Sequence, residues 1–171
     1  EAYQPFSSLS WLDEIRAHPA ANANVLLMRT LSKFGLAGVR LGYMLGPQAL
    51  VQEVDKLRPP YNVSVLNAEC ALFALDHAHV FAQQASQIRA QRTWLVNALT
   101  SLPGVKPFPS EANMVLVRVP DAGRSFEGLK AHGVLVKNVS KMHPLLHNCL
   151  RLTVGTPHEN AQLIEALQIS L

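Results

Sequence analysis

Two short apolar runs, Val25–Met28 and Arg40–Leu45, bracket the loop Thr30–Gly38, and this bracket constrains the fold more than any other stretch of the chain. Val25-Leu26-Leu27-Met28 has no polar alternation and is too short for a helix, so it reads as a strand buried on both faces. Arg40-Leu41-Gly42-Tyr43-Met44-Leu45 reads as a second strand. The loop between them puts Lys33 next to the hydroxyl of Ser32, with Arg40 following the glycines. Leu31, Phe34 and Leu36 offer apolar neighbours and Arg40 a second cation. Those surroundings disfavour an ammonium and leave a lysine able to attack an aldehyde near neutral pH. The Ser32 hydroxyl and the planar fork of Arg40 suit a phosphate dianion, and the glycines allow close backbone approach. The plain alternative is a solvated lysine after a strand, with turn glycines behind it. That alternative loses ground because hydroxyl, lysine, glycines and arginine occur together. A Walker phosphate loop is excluded, since Lys33 precedes the glycines and no GxxxxGK[ST] or GxGxxG is present.

The rest of the chain punctuates cleanly. Helical spacing through Trp11, Leu12 and Ile15 predicts a short helix over Trp11–Ala17 after a Ser-rich entry. Gly46-Pro47 opens another, with Leu50, Val51, Val54 and Leu57 on one face, and Pro59-Pro60 ends it. That proline pair is the expected boundary between two lobes. From Val65 to about Leu102 the pattern is helical, with a break near Asp76 to His79, so two helices are expected. Pro103-Gly104 closes them. Asn113–Val119 reads as a strand, Asp121 as the cap of a helix reaching His132, and Gly133 as its left-handed exit. Val134–Val136 is expected to be a strand. Cys149–Val154 alternates Leu150, Leu152 and Val154 with polar positions and is expected to be a half-exposed one. Thr156-Pro157-His158-Glu159 combines a capping box with proline at the first helical position, which predicts a last helix. The second lobe is therefore a small α/β unit.

Composition narrows the function classes. With 49% hydrophobic and 16% charged residues in 171, the chain is of globular type. Its net charge of +3 is scattered, which argues against a nucleic-acid partner. No stretch is apolar for long enough to cross a membrane as a helix. Cys70 and Cys149 lack zinc spacing and read as reduced core thiols. Neither His77 with His79 nor His143 with His147 has a carboxylate or cysteine to complete a ligand set, so no metal is expected.

Thr30-Leu31-Ser32-Lys33 through Gly38-Val39-Arg40-Leu41-Gly42 resembles the Schiff-base lysine motif of fold-type-I pyridoxal-phosphate-dependent aminotransferases, and among them the histidinol-phosphate aminotransferases. Glu1-Ala2-Tyr3, Ser110-Glu111-Ala112-Asn113 and Cys149–Thr156 with Glu159-Asn160 carry the same resemblance, which covers essentially the whole chain. It implies an α/β fold: residues 1–62 as a remainder of the large cofactor-binding domain, and 63–171 as a small C-terminal domain.

By similarity, Lys33 would carry pyridoxal 5'-phosphate and move a proton between the substrate's α-carbon and the cofactor. Tyr3 would hydrogen-bond the cofactor's phenolic oxygen, and Ser32 and Arg40 would bind its phosphate. Arg151 would pair with the carboxylate of glutamate or 2-oxoglutarate, or with the phosphate of histidinol phosphate. Many relatives have a second arginine where this chain has Lys137, and a lysine cannot fork, so Lys137 and Lys141 compete for that role. Tyr61 and Asn62 resemble positions at the mouth of the active site. The implied activity is amino-group transfer between histidinol phosphate and 2-oxoglutarate in histidine biosynthesis, by a cytoplasmic homodimer. A threonine-phosphate decarboxylase of the same fold, and a non-catalytic dimerisation or binding remnant, are the alternatives. The family's aspartate for the pyridine nitrogen falls immediately before Glu-Ala-Tyr, outside this sequence, so the chain is expected to be a fragment without activity of its own.

Overall fold

The computed structural model describes residues 1–171 and divides into two compact units, Glu1–Ala85 and Ser86–Leu171. The first unit begins with a single 3-10 turn at Gln4–Phe6 and the helix α1, Trp11–Ala17. Ser10 caps α1 by accepting the N–H of Leu12 at 3.1 Å, which satisfies one of the orphan donors of a helix start. Strands β1, Leu27–Thr30, and β2, Gly42–Leu45, pair antiparallel, with Leu27 opposite Leu45 and Thr30 opposite Gly42. Helix α2 spans Gln48–Asp55 after Pro47, and α3 spans Val65–Asp76 with Ser64 as its cap. A break at His77 separates α3 from α4, Ala78–Thr100, which starts in this unit and continues into the next.

Three expectations for this unit are corrected. The first strand is not buried on both faces: Leu27 faces inward while Met28 is 64% exposed, because the two-stranded sheet is covered on one side only within this chain. The apolar stripe of α2 is not buried either. The helix stops at Asp55, ahead of the proline pair, and Leu57 beyond it is exposed, as is Val54. Cys70 also lies on an exposed part of α3 and is no core thiol, whereas Cys149 is buried.

The second unit is built on a four-stranded antiparallel sheet in the order β3-β4-β6-β5. Its strands are β3, Lys106–Pro107; β4, Met114–Arg118; β5, Lys137–Asn138; and β6, Cys149–Thr153. Alternation does what the sequence implies: Val115, Val117, Leu150 and Leu152 point to the core, and Leu116 and Arg151 to the other face. Leu95 and Leu99 of α4 join that core, together with Leu129 of α5, Ala122–Ala131, and Leu163 and Leu167 of α6, Pro157–Ser170. Asp121 caps α5 through the N–H groups of Gly123 and Arg124, and Gly133 leaves it at φ +76. Thr156 and Glu159 form the complete capping box of α6. Val134–Val136 does not join the ladder; the pairing starts one residue later, at Lys137, so that stretch is the approach to β5.

Leu152→Ala is expected to lower stability by about 2–5 kcal/mol, since the truncation leaves a cavity in a packed core. Arg151→Ala next to it, on the exposed face, is expected to stay within about 0.5 kcal/mol. Urea midpoints of the two variants check the contrast.

Candidate functional site

In the first unit, antiparallel pairing of β1 and β2 forces the segment between them to fold back on itself. It does so through two 3-10 turns, Ser32–Phe34 and Ala37–Val39. The carbonyl of Leu31 accepts the N–H groups of Phe34 at 3.0 Å and Leu36 at 3.2 Å, and the N–H of Leu31 donates to Leu41 at 2.9 Å across the neck of the loop. Thr30 Oγ1 accepts the N–H of Ser32 at 3.0 Å and donates to the Leu41 carbonyl at 3.3 Å. These bonds set the direction in which Ser32 and Lys33 leave the strand.

Lys33 stands in the first turn, and its Nζ lies 5.4 Å from the centroid of the Tyr3 ring. An ammonium at that distance from an aromatic face is attracted by the ring quadrupole. Tyr3 itself is half-buried, and its carbonyl accepts the N–H of Phe6 at 3.0 Å, closing the turn at the start of the chain. The apolar surround expected of Lys33 is not made by these residues: Lys33 is exposed, while Leu31, Phe34 and Leu36 are half-buried around it. Phe34 instead stacks on Phe81 of α4, with ring centroids 4.7 Å apart. Gly35, next in the chain, has φ +99, and a Cβ there would come within 3.3 Å of the Phe81 ring, so both conformation and space call for glycine.

Arg40 ends the second turn in a left-handed conformation, φ 56, and its Nη1 donates to the Ala37 carbonyl at 3.3 Å. A non-glycine residue held there is uncommon and persists only where its surroundings fix it. Tyr61, also at positive φ, and Asn62 are exposed in the link between α2 and α3.

Sequence reading missed the cluster that anchors this arrangement. Arg29 donates from Nε and Nη2 to Glu1 Oε2 at 3.1 and 2.9 Å, and from Nη2 to Ser10 Oγ at 2.8 Å. The Ser10 hydroxyl donates to the same carboxylate at 3.3 Å, and the N–H of Trp11 donates to Glu1 Oε1. Desolvation pushes the Glu1 carboxyl upward, but the Trp11 N–H, the Arg29 guanidinium and the Ser10 hydroxyl outweigh it and hold it below the usual carboxylate range. For Arg29, desolvation works against the charge, and Glu1 and Tyr43 outweigh it in the other direction. No local signal marked it: Arg29 falls just past the strand read as Val25–Met28, and its carboxylate partner lies 28 residues away in sequence. Beside the cluster a cavity of about 590 Å³ opens, lined by Arg29, Thr30, Phe34 and Tyr43 and by Ala71 and Leu75 of α3.

In the second unit, Arg151 of β6 stands directly opposite Lys137 of β5, and both are exposed. Leu116 of β4 flanks Arg151 on the other side. Like charges directly opposite on adjacent strands cost stability, so this pair makes a local anion-attracting patch at some expense to the sheet. Lys141 is exposed in the turn beyond Asn138. No three His, Cys, Asp or Glu side chains gather to hold a metal ion; His77 bonds its Nδ1 to the Phe73 carbonyl, and His143 Nδ1 accepts the N–H of Leu145. No helix is long and apolar enough to cross a membrane.

Residues 1–167 match the family described as aminotransferase class I and II. The histidinol-phosphate aminotransferase of Paracidovorax citrulli is 70% identical over the whole chain, which spans 46% of that protein's length. Among solved structures, the histidinol-phosphate aminotransferase of Clostridium acetobutylicum superposes with a TM-score of 0.84 at 18% identity, over 98% of this chain and 52% of its own; this likeness shows the fold. The enzyme of that name from Sinorhizobium meliloti, in complex with pyridoxal-5'-phosphate, superposes with a TM-score of 0.70 at 28% identity, over 86% of this chain and 41% of its own. The chain thus spans about half the length of the relatives it matches.

The Glu1 carboxyl titrates lower in the folded unit than in the unfolded chain, so its contribution is full above the ordinary carboxylate range and is lost as pH falls through the lower, folded value. Trp11 fluorescence in a Trp94→Phe background is expected to show an acid transition below that range, absent from Glu1→Gln. The same transition in both proteins would contradict the assignment.

Proposed function

The chain belongs to the class I and II aminotransferases, and from that membership we propose that it holds pyridoxal phosphate on Lys33 and serves amino-group transfer between histidinol phosphate and 2-oxoglutarate, a step of histidine biosynthesis. The observation that carries this reading is the meeting of Lys33 and Tyr3, 5.4 Å apart, on a loop that also bears Ser32 and Arg40. The donor set fits a phosphorylated pyridine aldehyde. A primary amine can hold the aldehyde carbon, a phenol can bond the ring oxygen, and a hydroxyl with a guanidinium can take the phosphate.

Bound pyridoxal phosphate supplies a ring that takes up the electron pair left on a substrate's α-carbon. The residues of this chain do the rest of what is assigned to it. Ser32 and Arg40 would hold the phosphate, the planar guanidinium being better suited to phosphate oxygens than an ammonium. Tyr3 donates its O–H to the ring oxygen. Lys33 Nζ takes and returns the proton at the α-carbon as general base and acid. Arg151 and Lys137 together attract the phosphate or carboxylate of the substrate, and their register on β6 and β5 supports a shared role. Lys137 then supplies charge while Arg151 supplies the fork. Tyr61 and Asn62 belong to this reading as exposed substrate contacts. So does the division into a remainder of the large cofactor-binding domain, 1–62, and a small C-terminal domain, 63–171. A homodimeric whole protein in the cytoplasm rests on likeness to the family alone.

Incubation with pyridoxal phosphate, borohydride reduction and peptide mapping tests the cofactor assignment. The added mass is expected on Lys33, and Lys33→Ala is expected to lose it entirely; equal labelling of other lysines would sink the assignment. For the substrate, Arg151→Ala in the whole protein is expected to raise KM for histidinol phosphate on the order of ten- to a hundredfold, the loss of a charged hydrogen bond of about 1.5–3 kcal/mol. Lys137→Arg is expected to keep KM within a few-fold. Carbon dioxide release from a phosphorylated amino acid, with no amino transfer, would instead mark a decarboxylase.

A further inference from the structure

We infer that Glu1 and Arg29 form a positioning pair for Lys33: their ion pair fixes the Tyr3 ring against the lysine amine. The inference rests on the reading of Lys33 as the cofactor lysine. It adds two residues to that site, neither of which touches the amine itself.

Tyr3 and Lys33 come from segments 28 residues apart at their anchor points, Glu1 and Arg29. Nothing in the local sequence brings such segments together, so a long-range contact must set their distance. The two-nitrogen approach of Arg29 to Glu1 Oε2 does this together with the Glu1 amine, which donates to the Met28 carbonyl at 2.8 Å, and the side chains of the pair are 14% and 19% exposed. Ser10 and the N–H of Trp11 bind the same carboxylate and tie α1 into the junction. Neither anchor has slack toward its working residue. From Glu1 only Ala2 intervenes before Tyr3, whose backbone is held by the Phe6 N–H and whose turn is pinned by Phe6, 4% exposed. From Arg29 the chain runs through Thr30, which bonds both Ser32 and Leu41, and Leu31, which bonds Phe34 and Leu36. Fixing Glu1 on Arg29 therefore fixes the phenol relative to the amine.

A lysine on an exposed turn otherwise samples many rotamers. A ring face at one side of its Nζ restricts that sampling and favours the orientation needed at the aldehyde. Arg29 is suited to the task because its planar fork constrains direction as well as distance, which a lysine would not.

The test reads geometry without cofactor. In the isotopically labelled chain, the ε-methylene protons of Lys33 are expected to be shifted upfield by the Tyr3 ring current, a shift that Tyr3→Leu removes. Glu1→Gln and Arg29→Gln are expected to lose at least half of it while cross-strand contacts between Leu27 and Leu45 persist. Should Arg29→Gln lose those contacts, Arg29→Lys, which keeps the charge and loses the fork, is read in its place. A Tyr3-dependent shift that survives in Glu1→Gln and in the folded Arg29 variant overturns the inference, and so does its absence from the unsubstituted chain. Borohydride trapping separates this from the cofactor reading: label on Lys33 with an unmoved resonance refutes the pair alone, whereas the expected resonance changes without label refute the cofactor assignment alone.

Discussion

The antiparallel ladder of β1 and β2 is the constraint from which the candidate site follows. With Thr30 opposite Gly42, residues 31–41 have to return within one strand spacing, and their backbone groups have to find partners inside the loop. They do so by two 3-10 turns, with hydrogen bonds that converge on the carbonyls of Leu31 and Leu41. Ser32, Lys33 and Arg40 are thereby held on one loop, and Arg40 takes a left-handed backbone to finish the second turn. The first residues of the chain are then bound to the same ladder through Arg29, which brings a phenol to the amine. One pairing of short strands thus gathers an amine, a hydroxyl, a guanidinium and an aromatic ring.

The second unit reaches its cationic patch by a different rule. Strict alternation buries Leu150 and Leu152 and so sends Arg151 outward, and the register of β5 sends Lys137 to the same place. The core that fixes this register is apolar and buried, with Leu95, Leu99, Leu129 and Leu167 clustered with the inward residues of the sheet. A slip of one residue would bury Arg151, which the core cannot accept, so the patch is as well determined as the core.

Much of this was legible in the sequence, for physical reasons that differ by element. The helix starts at Ser10, Asp121 and Thr156 were readable because a cap is local chemistry, and the exit at Gly133 because left-handed backbone favours glycine. The alternation of β6 was readable because one face is apolar. Lys33, Ser32 and Arg40 stood out because their loop combined unusual residue types. Arg29 did not, since its partner lies far away in sequence and ion pairs leave no local pattern. Met28 and Leu57 misled because apolar character marks what a chain can bury, whereas the surface available to bury them is a property of the fold. Val134–Val136 misled in the same way: an apolar run approaches the sheet, and the hydrogen-bonded ladder begins only at Lys137.

A crystal structure of the protein grown with pyridoxal phosphate tests the central claim most directly. The result expected is a covalent link from the aldehyde carbon to Lys33 Nζ, the phosphate against Ser32 and Arg40, and the Tyr3 hydroxyl on the ring oxygen. A phosphate bound away from Arg40, or a link to any other lysine, would contradict the account.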